Sequence, residues 1–142
     1  MTIEPYISFG DEKESAYIRK RLIEFNAEHV PGNLSSRYEE INLTIKNDSG
    51  KVIGGLLSTL CWNWIEVEIL WIEESLRGQG YGSHLLNKIE RIAKEKGCTF
   101  IKLNTFSFQA PEFYRKNGYD EVAVFKEAPT GSNHYYFKKS LF

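Results

Sequence analysis

The first clear pattern along the chain is an alternation of apolar and polar residues between positions 40 and 46, where Ile41, Leu43 and Ile45 share one side. An alternation of this period is typical of a β-strand with one buried face. A hairpin loop at residues 47–50 separates this run from the next, and a tight turn at residues 62–63 precedes a third. The pattern therefore predicts an antiparallel meander of three strands, at 40–46, 51–61 and 64–72.

A different period begins after residue 83. Apolar residues recur there at the three- and four-residue spacing of a helix that extends to Lys96, and Gly97 is placed to end it. The next apolar run, residues 99–104, predicts a strand, which should lie parallel to strand 64–72 because a helix connects the two. The remaining elements are a short helix at 110–117 and strands at 119–125 and 134–139.

The N-terminal part has a weaker pattern. Residues 2–9 alternate loosely, and Pro5 suits an edge strand better than a central one. Asp11 or Ser15 could cap a helix that runs to about residue 27. A loop follows at residues 28–37. With no repeat, linker or low-complexity segment in its 142 residues, the chain is predicted to form one domain, residues 1–142.

Composition excludes several classes of protein. The net charge of −1 argues against a general nucleic-acid binder, which usually needs a basic face. The cysteines, Cys61 and Cys98, lie far apart and lack metal-ligand spacing, so no metal site is expected. The sequence contains neither a leader pattern nor the ~20 apolar residues of a membrane span. A cytoplasmic protein without nucleic-acid or membrane partners is expected.

The strongest chemical signal is a glycine-rich loop between the third strand and the long helix. Glycines permit tight turns with outward N–H groups, and a helix N-terminus adds further unpaired N–H groups, so the loop suits a phosphate or pyrophosphate. A P-loop would need a lysine after the glycines, and a dinucleotide fingerprint would need glycine at Ser83. Neither motif is present. The loop reads Arg77-Gly78-Gln79-Gly80-Tyr81-Gly82-Ser83.

Residues 77–82 resemble the R/Q-x-x-G-x-G/A motif of the GNAT superfamily of acyl-CoA-dependent N-acetyltransferases. Residues 110–119, Ala-Pro-Glu-Phe-Tyr-Arg-Lys-Asn-Gly-Tyr, resemble the family's second motif, A-x-x-F-Y-x-K-x-G-F/Y. The two motifs together are specific, and the predicted order of elements also matches. The resemblance is strong over residues 69–119, whereas the first sixty residues match only in element order.

The resemblance implies a mixed α+β fold, with a mostly antiparallel sheet of six to seven strands, flanking helices and one splayed pair of parallel strands. It implies acetyl-CoA as co-substrate, its pyrophosphate on the glycine loop and its pantetheine arm between the splayed strands. Many members have an asparagine three residues before the alanine of the second motif. That position is Ser107 here and Asn104 lies nearby, so the role is open between them. The implied cofactor-binding residues are Leu70, Trp71, Ile72, Arg77, Gly78, Gln79, Gly80, Tyr81, Gly82, Ser83, Asn104 and Ser107.

Acetyl transfer needs a polarised thioester carbonyl and a proton for the departing thiolate. The resemblance implies a bulge in strand 64–72 that frees an N–H group for the carbonyl, and we place this donor at Leu70 or Trp71. Tyr114 is the candidate acid, since a phenol of pKa about 10 can protonate a thiolate whose thiol has pKa about 8.5. The adjacent Phe113 points about 100° away on the helix and can pack instead.

The incoming amine must also lose a proton. Glu66 and Glu68 lie at alternate positions of the third strand and share one face, where two unpaired buried carboxylates would be costly. Glu68, nearer the implied bulge, is the predicted base or amine-binding group, and Glu66 is the second choice. His29, His84 and His134 are expected to be surface or satisfied residues. The three tryptophans are expected to pack in the core, or alternatively to form an aromatic wall for the acceptor.

The predicted function is an N-acetyltransferase that moves an acetyl group from acetyl-CoA to a primary amine by direct transfer in a ternary complex. The acceptor is expected to be a small molecule, although a protein amine stays open, and the resemblance makes a homodimer plausible. One alternative is a non-catalytic acyl-CoA-binding sensor with the same fold. Another is a phosphate-binding module unrelated to CoA.

Overall fold

The computed structural model describes residues 3–142, which divide into two compact units between Ser36 and Arg37. In the described residues, the first unit holds one helix, and the second holds a six-stranded sheet with two α-helices. The elements in chain order are α1 (Glu12–His29), β1 (Tyr38–Lys46), β2 (Val52–Cys61), β3 (Trp64–Ile72), a 3₁₀ turn (Glu74–Leu76), α2 (Tyr81–Glu95), β4 (Phe100–Phe106), α3 (Pro111–Lys116), β5 (Asp120–Lys126) and β6 (Asn133–Ser140).

In the first unit, α1 begins with a capping box. The Asp11 carboxylate accepts a hydrogen bond from the Glu14 N–H at 2.8 Å, and the Glu14 carboxylate accepts one from the Asp11 N–H at 2.9 Å. Residues 3–10 have no regular structure. The strand predicted at 2–9 is therefore wrong over residues 3–9, and residue 2 lies outside the described residues. Pro5 has no N–H to donate to a ladder, and this unit contains no described strand for it to pair with.

In the second unit, the strands follow the order β1-β2-β3-β4-β6-β5. The β3–β4 pair is parallel and every other described pair is antiparallel. This arrangement confirms the predicted meander, the crossover through α2 and the mixed α+β fold class. Apolar residues of α2 and α3 pack on one face of the sheet to form the core, whose fully buried members include Leu56, Ile65, Leu86, Ile89 and Phe137.

A β-bulge in β3 positions the site. Leu57 of β2 pairs with Ile69, but the next residue of β2, Ser58, pairs with Val67, so Glu68 is the extra residue on β3. The extra residue shifts the alternation of the strand by one. Val67 faces the core before the bulge, and Leu70 does so after it. The bulge therefore lies at Glu68. The N–H donor was predicted at Leu70 or Trp71, so the bulge precedes the first of these by two residues.

The parallel pair separates at the same point. β3 pairs with β4 only from Trp64 to Val67, opposite Phe100 to Leu103. Beyond these positions β4 continues along β6, and β3 continues along β2. The predicted splay is thus confirmed, and it begins at Glu68 on β3 and at Asn104 on β4. Among the described residues, no helix is long and apolar enough to cross a membrane.

Candidate active site

The separation of β3 and β4 opens a cleft of about 580 Å³. Its walls come from the end of β3, the glycine loop with the start of α2, the end of β4 with the loop that follows it, and α3. Most of the residues predicted for the cofactor and for catalysis meet there. Those that line the cleft are Glu68, Leu70, Trp71, Ile72, Arg77, Gly78, Gly80, Tyr81, Gly82, Asn104 and Tyr114.

The glycine loop has the backbone geometry of an anion site. Gly78 and Gly80 have φ values of +79° and +90°, and no atom lies within 4 Å of the position that a Cβ would occupy at either residue. Gly80 is the N-cap of α2, and no side chain caps the helix. The N–H groups of the first turn therefore have no intrahelical acceptor and no capping side chain, which leaves them directed at the open space beyond the loop.

Arg77 connects this loop to β3. Its Nε donates a hydrogen bond to the Ile72 carbonyl at 2.9 Å, and its side chain lines the cleft. A guanidinium held beside a helix N-terminus suits a phosphate group. These features fit the pyrophosphate of a coenzyme A thioester. Gln79 and Ser83 belong to the same loop but do not line the cleft.

The strand segment from Leu70 to Ile72 borders the cleft. Leu70 and Trp71 pair with Leu56 and Gly55 of β2, while β4 has already moved away from the other edge of β3. Among the described residues, no strand pairs with the polar backbone groups on that edge of β3. An extended amide-containing chain could therefore pair with β3 there.

Tyr114 lies between the core and the cleft. It is 8% exposed and lines the cleft, and its ring packs against those of Phe113, Tyr119 and Phe137 at centroid distances of 5.2, 6.0 and 6.1 Å. Burial raises the pKa of Tyr114 to about 12, so the phenol stays protonated at neutral pH. Phe113 packs against the start of α2, where a Cβ added to Gly82 would lie 2.9 Å from its ring.

The two candidate carboxylates have different surroundings. Glu68, the bulge residue, lines the cleft and accepts a hydrogen bond from the Thr59 hydroxyl at 2.7 Å. Glu66 lies outside the cleft lining and forms an ion pair with Lys102 at 3.2 Å. Thr59 is directly opposite Glu66 on β2, so both carboxylates lie on one face of the sheet, as predicted.

Of the two candidates for the pantetheine contact, Asn104 and Ser107, only one lines the cleft. Asn104 lines the cleft at the end of β4. Ser107 instead joins the loop to β6, since its hydroxyl accepts a hydrogen bond from the Asn133 N–H at 2.7 Å and its N–H donates to the Asn133 carbonyl at 3.0 Å. Ser107 is absent from the cleft lining.

Besides Phe108, which lines the cleft, two residues at the site were given no role from the sequence, where His134 was expected only to be a surface or satisfied residue. His134 lies 2.9 Å from the Asn104 side-chain oxygen through its Nε2, although thirty residues separate them. Gln109 lines the cleft, and its side-chain oxygen accepts hydrogen bonds from the Thr105 hydroxyl at 3.1 Å and the Phe106 N–H at 2.9 Å. Neither residue belongs to a motif. The pairing of His134 with the end of β4 follows only from the strand order, β6 beside β4.

Changing Gly80 to Ala should raise the KM for acetyl-CoA about tenfold, because the strained φ of +90° would turn away N–H groups that bind a charged phosphate. Gly97→Ala is the matched control, since Gly97 has a φ of +77° and equally open surroundings but lies at the far end of α2. Initial-rate kinetics would test this prediction. Equal KM values for the two variants would contradict a role of the glycine loop in cofactor binding.

Comparison with known proteins gives one consistent result. The model of the acetyltransferase (GNAT) family matches residues 6–119. The blasticidin-S acetyltransferase of Streptomyces morookaense is 36% identical over 95 residues, which are 66% of this chain and 70% of that protein. The crystal structure of an acetyltransferase from Bacillus cereus ATCC 14579 is 42% identical, with a TM-score of 0.92 over 96% of this chain and 97% of that one.

A more distant structural relative was solved with a bound acyl donor. The putative streptothricin acetyltransferase of Bacillus anthracis, in complex with acetyl coenzyme A, is 20% identical, with a TM-score of 0.64 over 78% of this chain and 68% of that one. At this identity the likeness concerns the fold alone. Its acetyl coenzyme A is a property of that protein.

Proposed function

This chain belongs to the acetyltransferase (GNAT) family, and from that premise we propose that it transfers the acetyl group of acetyl-CoA directly to the primary amine of a small acceptor. The observation that carries the proposal is the meeting of four features in one cleft: an uncapped glycine loop, a strand edge without a partner, a protonated phenol and a carboxylate. A binding protein needs the first two features. The phenol and the carboxylate supply the acid and the base of acyl transfer.

Cofactor binding rests on the backbone. The N–H groups of residues 78–83 and the Arg77 guanidinium would hold the pyrophosphate, and the open edge of β3 from Leu70 to Ile72 would pair with the amides of the pantetheine arm. Asn104 is the better placed of the two polar candidates, because it lines the cleft and Ser107 does not. When bound, acetyl-CoA supplies an activated acyl group as a thioester.

Glu68 is the proposed base. A primary amine has a pKa of about 10.4 and must lose a proton before its nitrogen attacks the thioester carbonyl. The Glu68 carboxylate faces the cleft, and the bond from Thr59 to one of its oxygens leaves the second oxygen to accept the amine proton, directly or through water. The pairing of Glu66 with Lys102 makes Glu66 the weaker candidate.

Tyr114 is the proposed acid. As the carbon–nitrogen bond forms, the carbon–sulfur bond breaks and the sulfur needs a proton. With the pKa of Tyr114 at about 12, complete transfer to a thiolate whose thiol has an ordinary pKa of about 8.5 would cost about 5 kcal/mol. The cleft also disfavours a thiolate, however, because burial raises the pKa of thiols. Tyr114 therefore stabilises the departing sulfur by donating a hydrogen bond, with the proton passing as the bond breaks.

Direct transfer fits the positions of the cysteines. Neither Cys61 nor Cys98 lines the cleft, and burial raises the pKa of both thiols, which disfavours the nucleophilic thiolate. A covalent acetyl-cysteine intermediate is therefore unsupported. The single domain, the homodimer and the cytoplasmic location stay predictions.

A thiol-release assay with acetyl-CoA and a panel of amines tests the proposal. The panel would contain an aliphatic polyamine, an aminoglycoside, an arylalkylamine, a nucleoside antibiotic with a free amine and a lysine-containing peptide. We expect release of CoA with at least one small amine and none with the peptide. Thermal stabilisation by acetyl-CoA without turnover of any amine would indicate a sensor, whereas no stabilisation would indicate a different phosphate ligand.

A further inference from the structure

Four aromatic rings form a continuous row on one face of the sheet, which we call the aromatic row: Phe108, Phe106, His134 and Tyr136. Phe106 stacks on Phe108 at 5.3 Å with an interplanar angle of 2°, and on His134 at 4.3 Å with an angle of 18°. Tyr136 continues the row at 4.6 Å from His134. The row lies opposite the face that packs against α2, because Thr105 and Phe137, the chain neighbours of Phe106 and Tyr136, are buried on that side.

The row ends at the cleft. His134 of β6 and Phe108 both stack on the Phe106 ring, and of these three residues only Phe108 lines the cleft. Phe108 lines the cleft and is 63% exposed. Its exposed ring therefore forms the end of the row that borders the cleft. An exposed phenylalanine in this position is a platform on which another flat group can stack.

The platform is held in place although it is exposed. Gln109 closes the turn that carries Phe108, with its N–H donating to the Phe106 carbonyl at 2.9 Å and its side-chain oxygen accepting from the Phe106 N–H at 2.9 Å. The hydrogen bond between His134 and Asn104 ties the middle of the row to the cleft wall. A ring fixed in this way loses little conformational entropy when a ligand stacks on it.

The wall of the cleft that β3 forms also carries large, exposed apolar side chains. After the bulge, Ile69 and Trp71 lie away from the core, and they are 53% and 47% exposed. Both line the cleft together with Glu68. Large apolar side chains of β3 and of the loop after β4 are thus exposed at the same cleft, which the Glu68 carboxylate of β3 also lines. This combination suits a ligand that is both flat and cationic.

We propose that the acceptor is an amine attached through a short linker to a flat unsaturated ring, which stacks on Phe108 while the ammonium group approaches Glu68. This inference rests on the proposed acetyl transfer and names the acceptor class for that site. It assigns Phe108 as a residue that determines acceptor specificity. His134 and Gln109 are positioning residues, because their hydrogen bonds to Asn104 and to Phe106 hold the segment that carries the platform.

Phenethylamine and cyclohexylethylamine test the inference, since they present similar amines on rings of similar size and differ in whether the ring is flat. We expect kcat/KM to be about fivefold higher for phenethylamine. Phe108→Ala should raise the KM for phenethylamine about fivefold at nearly constant kcat, as expected for loss of uniform binding, and should abolish the preference. Phe108→Trp should retain it.

Phe125→Ala is the matched control. Phe125 is 59% exposed and packs edge-on against Tyr136, at the end of the aromatic row that lies away from the cleft. This variant removes a ring of the same size and should keep the preference. Equal rates for the two amines in the wild type, turnover of aliphatic amines alone, or a Phe108→Ala effect confined to the KM for acetyl-CoA would each overturn the inference. If no amine of any class is acetylated, the proposed function itself is wrong.

Discussion

Tyr114→Phe should lower kcat by a factor of about 100 to 1,000 and leave the affinity for acetyl-CoA nearly unchanged. The ring of the variant keeps the contacts of Tyr114 with Phe113, Tyr119 and Phe137, so the helix and the cleft keep their shape. What the substitution removes is the proton donor for the departing thiolate. Single-turnover kinetics together with a thermal-shift titration of acetyl-CoA would separate the chemical step from binding.

Tyr119→Phe is the control for this prediction. Tyr119 is as deeply buried as Tyr114 and its ring packs against that of Tyr114, but it does not line the cleft. Removing the Tyr119 hydroxyl should leave kcat unchanged, because this hydroxyl is not at the cleft. Equal losses of kcat in the two variants would assign the effect to packing and would contradict the role of Tyr114 as acid.

The raised pKa of Tyr114 predicts how kcat and the free energy of unfolding depend on pH. Its protonated form persists to about pH 12, so deprotonation of Tyr114 should cause no loss of kcat up to about pH 11. The raised pKa also contributes to the free energy of unfolding: the contribution is fully present below pH 10, the ordinary value, and is lost as the pH rises toward 12. Denaturant unfolding at pH 9 and pH 11 should therefore show a smaller alkaline loss of stability for Tyr114→Phe than for the wild type.

Glu68→Gln should lower kcat/KM for the amine about 100-fold at neutral pH. The glutamine oxygen can still accept the hydrogen bond from Thr59, so the bulge should persist while the proton acceptor is lost. As the pH approaches the amine pKa of about 10.4, more of the free amine is already neutral and the variant should recover part of its deficit. Rates measured between pH 7 and pH 10 would reveal this recovery.

Glu66→Gln distinguishes a base from a general effect of negative charge. It removes the same charge from the same face of β3, but from a carboxylate that pairs with Lys102 outside the cleft lining. We expect less than a twofold change, because partly exposed ion pairs contribute little. If Glu66→Gln loses as much activity as Glu68→Gln, or if the Glu68→Gln deficit is the same at every pH, then Glu68 is not the base.

The sheet of the second unit was predictable because its signals are local. The alternation in β1, the helical period of α2 and the glycines at positions 97 and 118 each specify a structure within a few residues. The prediction of a strand at residues 2–9 was wrong over residues 3–9 because it rested on a weak alternation alone. Short alternating segments form strands only when a partner strand satisfies their backbone, and residues 3–9 have none within their unit.

The site was predictable where it coincided with a motif. Arg77, the three loop glycines and Tyr114 were named from motifs and line one cleft, and Glu68, named from the alternation of β3, lines it as well. The location of the bulge was not, because an extra residue in a strand is defined by the register with β2, which a single strand does not encode. The hydrogen bond of His134 with Asn104 was not predictable for a related reason, since it depends on β6 inserting between β4 and β5.

The bulge at Glu68 also constrains how this site can change. Deleting Glu68 would restore a regular alternation in which Val67 and Leu70 are two positions apart, so Leu70 and Ile72 would stay on the core side and Ile69 and Trp71 outside it. Loss of the bulge is thus compatible with the packing of the core, but it removes the Glu68 carboxylate from the cleft. Substitutions at 69 and 71 are also compatible with the core, because both side chains lie outside it. The acceptor range of such an enzyme should therefore diverge by exchange of the side chains at 69 and 71 while the bulge at Glu68 is kept.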